Sequence, residues 1–100
     1  MNEIVKIGEY NCEVVYFKYS YNNRTAIQLI DTEDGLPFAR ATINLPDVEL
    51  EQDEVIIKNY EKNEGIYEAL VKANIIYPYH KTANNGFIEA LICKLKNKGV

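Results

Sequence analysis

The sequence predicts a single α+β domain, residues 1–100, in which an antiparallel sheet of about five to seven strands carries one short helix. Short runs of β-branched and aromatic residues, separated by turn clusters, fill residues 1–45 and predict strands joined mostly as a meander. Apolar residues then recur every three or four positions in residues 64–73, which predicts the helix. A chain of 100 residues can enclose one core without a metal or a disulfide.

Four candidate strands precede Pro46, at residues 4–7, 13–19, 25–30 and 37–45. The turns between them contain Gly, Asn and Asp, which tolerate left-handed backbone angles. The fourth strand alternates between two sets, Ala39, Ala41, Ile43 and Leu45 on one face and Phe38, Arg40, Thr42 and Asn44 on the other. This alternation is expected of a half-buried strand. Proline has no amide hydrogen for a sheet, so the strand should end there.

The second half of the chain predicts a fifth strand at residues 54–60 and a helix at 64–73. Asn63 is a suitable N-cap, and Asn74 suits the left-handed position after the helix. The tail, residues 86–96, fits both a helical stripe and the alternation of a buried strand. Periodicity alone favours the helix.

An acidic link, residues 47–54, connects the fourth and fifth strands, with acids at alternate positions. If the link is extended, Val48 and Leu50 turn inward, and the neighbouring carboxylates face water. Two interpretations stay open. The charges could protect a sheet edge from pairing with another strand, or they could imitate a row of phosphates and occupy a partner's basic groove.

Charge is distributed unevenly along the chain. The formal net charge is −4, but residues 31–68 carry eleven acids and three bases, and residues 69–100 carry one acid and five bases. An acidic centre argues against general duplex-DNA binding, because that affinity comes mainly from neutralising phosphates. It fits a binding partner with a positively charged surface.

Two sets of candidate binding residues follow. The leading, partner-binding set is Asp47, Glu49, Glu51, Asp53 and Glu54, followed by Lys58, Tyr60 and Asn63. The alternative set, tyrosines among cations that could stack on single-stranded nucleic acid, is Lys18, Tyr19, Tyr21, Arg24, Tyr77, Tyr79 and Lys81. Both sets also have structural interpretations. Lys58, Tyr60 and Asn63 are explained by entry into the helix and its capping, and the tyrosines of the alternative set by packing at sheet edges.

Catalytic patterns are sparse. His80 is the only histidine and Ser20 the only serine, and no metalloprotease, phosphate-loop or paired Cys-x-x-Cys motif occurs. We therefore predict a non-enzymatic protein without metal or cofactor, with a pairing of His80 and a cysteine as the remaining alternative. Cys12 and Cys93 are interpreted as small buried side chains in a reducing compartment. No apolar run approaches the length of a membrane span.

Several stretches resemble a small protein family known as domain of unknown function number 4313. The matching stretches are residues 26–31 with 33–35, 44–46, 57–60 with 63–65, and 86–89 with Cys93. Members of this family are about as long as this chain and occur in phages and in conjugative or integrative elements. The Tyr-Pro-Tyr-His stretch, residues 77–80, departs from the family pattern.

The resemblance implies a mobile-element accessory protein in the bacterial cytoplasm, with a strand as its last element. The family has no established activity. The resemblance, combined with the acidic centre, leads to the hypothesis of a counter-defence inhibitor of the anti-CRISPR or anti-restriction type. Such an inhibitor would block a host protein such as a nucleic-acid-binding defence nuclease. The alternative is a single-stranded nucleic-acid-binding or DNA-processing accessory protein, and a maintenance protein with a small-molecule pocket also stays open.

Overall fold

The computed structural model describes residues 3–58, 65–85 and 88–96. Within those ranges the chain forms seven antiparallel strands and one short helix, which confirms the predicted α+β class. In chain order the elements are β1 Ile4–Ile7, β2 Tyr10–Lys18, β3 Thr25–Asp31, β4 Pro37–Arg40, β5 Glu54–Lys58, α1 Ile66–Lys72, β6 Lys81–Asn85 and β7 Ile88–Lys94. The seven-residue helix α1, the only helix in the described ranges, is too short to cross a membrane.

The strands form two sheets joined by the segment after β4. The first sheet is the predicted meander, β1-β2-β3-β4, and the second has the order β5-β7-β6. The amide of Ala41 donates to the Ile27 carbonyl oxygen, and the amide of Lys58 donates to the Ala41 carbonyl oxygen, each at 2.9 Å. Thr42 pairs with Ile57 in an isolated bridge. The chain therefore passes directly from one sheet to the other at residues 41–43.

The main core lies between the inner faces of the two sheets and one face of α1. Its largest buried side chains are Val5, Val14, Ile27, Leu29, Val55, Ile57, Ile66, Leu70, Ile75, Ile76 and Leu95. Alternate residues of β2, β3 and β5 supply five of these side chains, as the strand period of two requires, and the others come from β1, α1 and the residues that follow α1 and β7. The burial of these aliphatic side chains is the main stabilising contribution to the fold.

A second apolar cluster lies on the outer face of the three-stranded sheet. Ile56, Ala83, Ala90 and Ile92 form its buried part, and the segment between the sheets covers them with Ile43, Leu45, Val48 and Leu50. Strand β5 is consequently buried on both faces. Val48 and Leu50 face inward as predicted, but the link is not extended throughout. The Val48 amide donates to the Leu45 carbonyl oxygen and the Glu54 amide to the Glu51 carbonyl oxygen, so a turn lies at each end of the link.

The fourth strand departs from the predicted alternation. The register of β3 and β4 shifts between Leu29 and Ile30, so that one extra residue of β4 is accommodated as a bulge. Phe38 and Ala39 therefore both pack against the main core. The prediction that Phe38 faces away from Ala39 was wrong for this reason.

Helix α1 is shorter than predicted and begins at Ile66, after Gly65 in the left-handed conformation (φ 92°). Its C-terminus follows the prediction, with Asn74 at φ 63°. The Ile75 amide donates to the Leu70 carbonyl oxygen and the Asn74 amide to that of Val71, which together form a Schellman motif. The proposed N-cap, Asn63, lies outside the described residues.

The tail forms strand β7, as the resemblance implied, and the helix favoured by periodicity is wrong. β7 is the central strand of its sheet, with Leu91 and Cys93 in the main core and Ala90 and Ile92 in the outer cluster. A strand buried on both faces shows no polar alternation, so its apolar residues also match a helical period. Strand β6 was not predicted, because Lys-Thr-Ala-Asn-Asn carries no strand signal.

Replacing Leu50 with Ala should lower the free energy of unfolding by about 1–2 kcal/mol, because the partly buried side chain covers the outer cluster. Gln52→Ala, at an exposed position of the same link, is the matched control and should change it by less than about 0.5 kcal/mol. Urea denaturation of both variants measures this difference. Equal stabilities would show that the link does not protect the sheet.

Candidate functional site: the acidic link and its supports

The acidic link carries its exposed carboxylates on the side away from the sheet. Asp47, Glu49 and Glu51 are exposed, and Asp53 is partly exposed. Glu51 lies 3.6 Å from the Lys94 ammonium, but both side chains are well exposed, so the pair contributes little to stability. The structure therefore presents three exposed carboxylates of the predicted set on one short segment, and Glu51 is paired with Lys94.

Arg24 holds the start of the link against the tip of the β2–β3 hairpin. Its Nη1 donates to the Leu45 carbonyl oxygen at 2.9 Å, and its Nη2 donates to the Val48 carbonyl oxygen at 2.5 Å. Asn22 adds a bond from its Nδ2 to the Asn44 side-chain oxygen at 3.0 Å. A planar guanidinium that binds two carbonyl groups fixes both distance and orientation. The link is thus docked through its backbone, and its carboxylates stay available.

Glu54 holds the end of the link and is buried, with 4% of its surface exposed. Its Oε1 accepts a hydrogen bond from the Glu51 amide at 2.8 Å, and its Oε2 accepts one from His80 Nε2. The prediction that Glu54 belongs to the exposed acidic surface is therefore wrong. Its position explains this, because Glu54 begins β5 and shares the face of Ile56 beneath the link.

The surroundings of Glu54 favour its ionised form. Burial by itself raises the pKa of this carboxyl, but the hydrogen bonds from the Glu51 amide and the His80 ring, together with the Lys81 charge, outweigh it. The pKa of Glu54 consequently lies below its ordinary value of 4.5. The buried Glu54 carboxylate accepts hydrogen bonds from the Glu51 amide and from His80, and so fixes the backbone at the end of the link.

The nucleic-acid set divides into engaged and exposed side chains. Lys18 Nζ donates to Thr25 Oγ1 at 2.9 Å, the Tyr19 hydroxyl lies 3.0 Å from Thr42 Oγ1, and Arg24 holds the link. Tyr21 is 79% exposed at the hairpin tip. These intramolecular bonds leave Tyr21 as the most accessible base-stacking candidate of the hairpin.

The second part of that set lies on the segment after α1. Tyr77 and Tyr79 are exposed, and Lys81 begins β6. The Tyr79 ring contacts Tyr67 edge-on with a centroid distance of 5.8 Å, and Lys96 Nζ lies 4.8 Å from the Tyr77 centroid. Both rings therefore have intramolecular partners on at least one side.

The fold brings the two predicted sets together instead of separating them. One cleft is lined by Arg24, Lys81 and three acidic-link residues, Glu49, Glu51 and Glu54. A basic surface distinct from the acidic one is therefore not formed at the hairpin tip. Lys58 lies at the other end of β5, partly buried, while Tyr60 and Asn63 lie outside the described residues.

The two thiols are buried and not bonded to each other. Burial raises the pKa of Cys93 to about 12, and burial together with the Asp31 charge raises the pKa of Cys12. Neutral thiols of this kind are poor nucleophiles. His80, the cysteine partner considered from the sequence, binds Glu54. In the described residues, no three His, Cys, Asp or Glu side chains group into a metal site.

Sequence reasoning missed the supports of the link. A signal for Glu54 existed, because a single acid directly before Val-Ile-Ile stands where a buried strand begins, and a buried carboxylate requires donors. No local signal paired it with His80, 26 residues away. Arg24 was assigned to a nucleic-acid-binding tip because it lies with Lys18 among tyrosines at a predicted hairpin turn.

Comparison of the chain with protein families, curated proteins and solved structures gave no match. The resemblance to the mobile-element family therefore stays a prediction.

Glu54→Gln should lower the free energy of unfolding by about 1–3 kcal/mol at pH 7, because it removes a buried charge with two donors. The pKa of Glu54 is depressed in the folded state, so its contribution is present above the unfolded-state pKa and is lost as the pH falls through the folded-state value. The parent and variant stabilities should therefore converge at acid pH. Urea midpoints measured from pH 7 to pH 3 test this.

Glu49→Gln, at an exposed position of the link, is the matched control. Its free energy of unfolding should equal that of the parent, within about 0.5 kcal/mol, across the measured range. If the free energies of unfolding of the parent and Glu54→Gln differed by the same amount from pH 7 to pH 3, the assigned role of the Glu54 carboxylate would be contradicted.

Proposed function

We propose that the protein is a non-enzymatic binding protein that presents the acidic link to a positively charged surface of a macromolecular partner. The observation that carries the proposal is the outward direction of Asp47, Glu49 and Glu51 on a backbone held at both ends, by Arg24 and by Glu54. A preorganised segment loses less conformational entropy on binding than a flexible one.

The chemistry of the link indicates what kind of partner it fits. Carboxylates held close together on a short segment between two turns can occupy a groove that binds phosphates, because both present a cluster of negative charges. Together with the resemblance to proteins of phages and integrative elements, this supports a counter-defence inhibitor of the anti-CRISPR or anti-restriction type. Its partner would be a host nuclease that binds nucleic acid, and its place of action the bacterial cytoplasm.

The alternative, binding of single-stranded nucleic acid, is supported by the exposure of Tyr21, Tyr77 and Tyr79. It is less favoured because Lys18 and Arg24, the cations needed beside Tyr21, make intramolecular hydrogen bonds. Their cleft also contains Glu51 and Glu54, whose charges repel phosphates.

Neutralising the link should weaken association with the partner without unfolding the protein. The variant combines Asp47→Asn, Glu49→Gln and Glu51→Gln, all at exposed positions. Loss of electrostatic steering should lower the association rate about tenfold or more at low salt, and the dissociation rate should change less. The measurement is inhibition of a panel of defence nucleases, followed by binding kinetics on any nuclease that the parent inhibits.

A matched control removes three carboxylates elsewhere, with Glu13→Gln, Glu68→Gln and Glu89→Gln, and so changes the net charge equally. The control should inhibit as the parent does. Equal inhibition by the link variant would contradict the proposal. Retention of a labelled single-stranded oligonucleotide at physiological salt, lost in Tyr21→Ala, would favour the alternative.

A further inference from the structure

Exposed apolar side chains lie at the end of the four-stranded sheet opposite the β2–β3 hairpin tip. Leu36 is 60% exposed and Tyr10 51% exposed. The Tyr10 ring contacts Phe38 with a centroid distance of 5.1 Å, and Phe38 packs against the main core. We refer to Tyr10, Leu36 and Phe38 as the end patch. It is continuous with the core and open to solvent.

The bulge in β4 turns Phe38 towards the core and towards Tyr10. Without the register shift, Phe38 would face away from Ala39 and from the core. With the shift, Phe38 turns to the face of the sheet that carries Cys12 and, two residues before it in β2, Tyr10. Leu36 lies outside the strand, in the turn directly before β4.

The turns that carry the end patch are fixed by hydrogen bonds. The backbone amide and Oγ1 of Thr32 both donate to the Asn11 carbonyl oxygen, at 3.0 and 2.9 Å, and so join the two turns. The Leu36 amide donates to Asp34 Oδ1 at 2.9 Å, and the Glu33 amide to Asp31 Oδ1 at 2.9 Å. The hydrogen bonds of this turn therefore keep the Leu36 side chain exposed to solvent.

The two turns that adjoin the end patch are acidic. The two turns, residues 8–11 and 31–36, contain four carboxylates and neither lysine nor arginine. The carboxylates are Glu9, Asp31, Glu33 and Asp34. An aromatic and aliphatic centre inside a charged rim is the usual composition of a protein interface.

We propose that the end patch is a second docking surface, for a basic protein segment that inserts an apolar side chain between Tyr10 and Leu36 and sets lysine or arginine against Glu9 and Glu33. Charge complementarity selects this occupant. A second copy of the chain would oppose one acidic rim to another, and the carboxylates repel phosphates of nucleic acids or anionic lipids. The inference is independent of the acidic link, which lies at the other end of the sheet.

The test uses the full chain and a fluorescein-labelled amphipathic peptide of leucine and lysine as the probe, with fluorescence anisotropy as the readout. A peptide of serine and lysine tests whether the apolar side chains are needed, and a peptide of leucine and glutamate tests whether the positive charges are needed. The parent should bind the first peptide, more weakly as salt rises, and bind the other two at least about tenfold less well.

Leu36→Ser should weaken binding of the leucine–lysine peptide at least about tenfold. The double variant Glu9→Gln, Glu33→Gln should weaken it and reduce its salt dependence. Ile4→Ser is the matched control, since Ile4 is 52% exposed but pairs with Glu13 on the other face of β1. Circular dichroism confirms that each variant is folded.

The link variant with Asp47→Asn, Glu49→Gln and Glu51→Gln should bind the peptide as the parent does, so the two proposals fail separately. Equal binding by the parent, Leu36→Ser and Ile4→Ser, or loss of binding only in the link variant, would overturn the inference. So would concentration-dependent dimerisation of the parent that Leu36→Ser abolishes, because the occupant would then be a second copy.

Discussion

The three-stranded sheet has two apolar faces, and the rest of the structure depends on covering both of them. One face joins the main core, and the other exposes Ile56, Ala83, Ala90 and Ile92 unless another segment lies over it. The segment between the sheets provides that cover with four apolar side chains. Val48 and Leu50 pack on the sheet, while Glu49 between them and Glu51 after them are exposed to water. The same segment therefore covers the sheet with its apolar side chains and forms the acidic surface with its exposed carboxylates.

The supports at the two ends of this segment satisfy groups that would otherwise be costly to bury. Arg24 donates to two carbonyl oxygens of the covering segment, and Glu54 accepts from the Glu51 amide and from His80. Irregular backbone packed on an apolar sheet needs such partners, since it lacks a neighbouring strand. Arg24 and His80, which binds Glu54, come from elements distant in sequence from the link, so the link's shape is a property of the assembled fold. This shape is what gives the exposed carboxylates a defined spacing.

Local patterns predicted the parts of the structure that local physics determines. The meander of β1 to β4, the inward direction of Val48 and Leu50, and the left-handed Asn74 follow from alternation, turn residues and helix termination. The division into two sheets, strand β6 and the burial of Glu54 depend on pairings between distant residues. His80, for example, is brought to Glu54 by the segment between α1 and β6. No single-sequence pattern encodes such a contact.

The central claim is that the covering segment is fixed to the sheet, and amide hydrogen exchange of the parent and of Arg24→Gln tests it most directly. The amides of Ile43, Val48 and Glu51 donate to Ile56, Leu45 and Glu54, respectively. They should be protected in the parent and exchange at least about tenfold faster in the variant, while the amide of Val14 in β2 stays unchanged. Unprotected exchange of these three amides in the parent would contradict the account, because the link would then be mobile and its carboxylates would have no fixed arrangement.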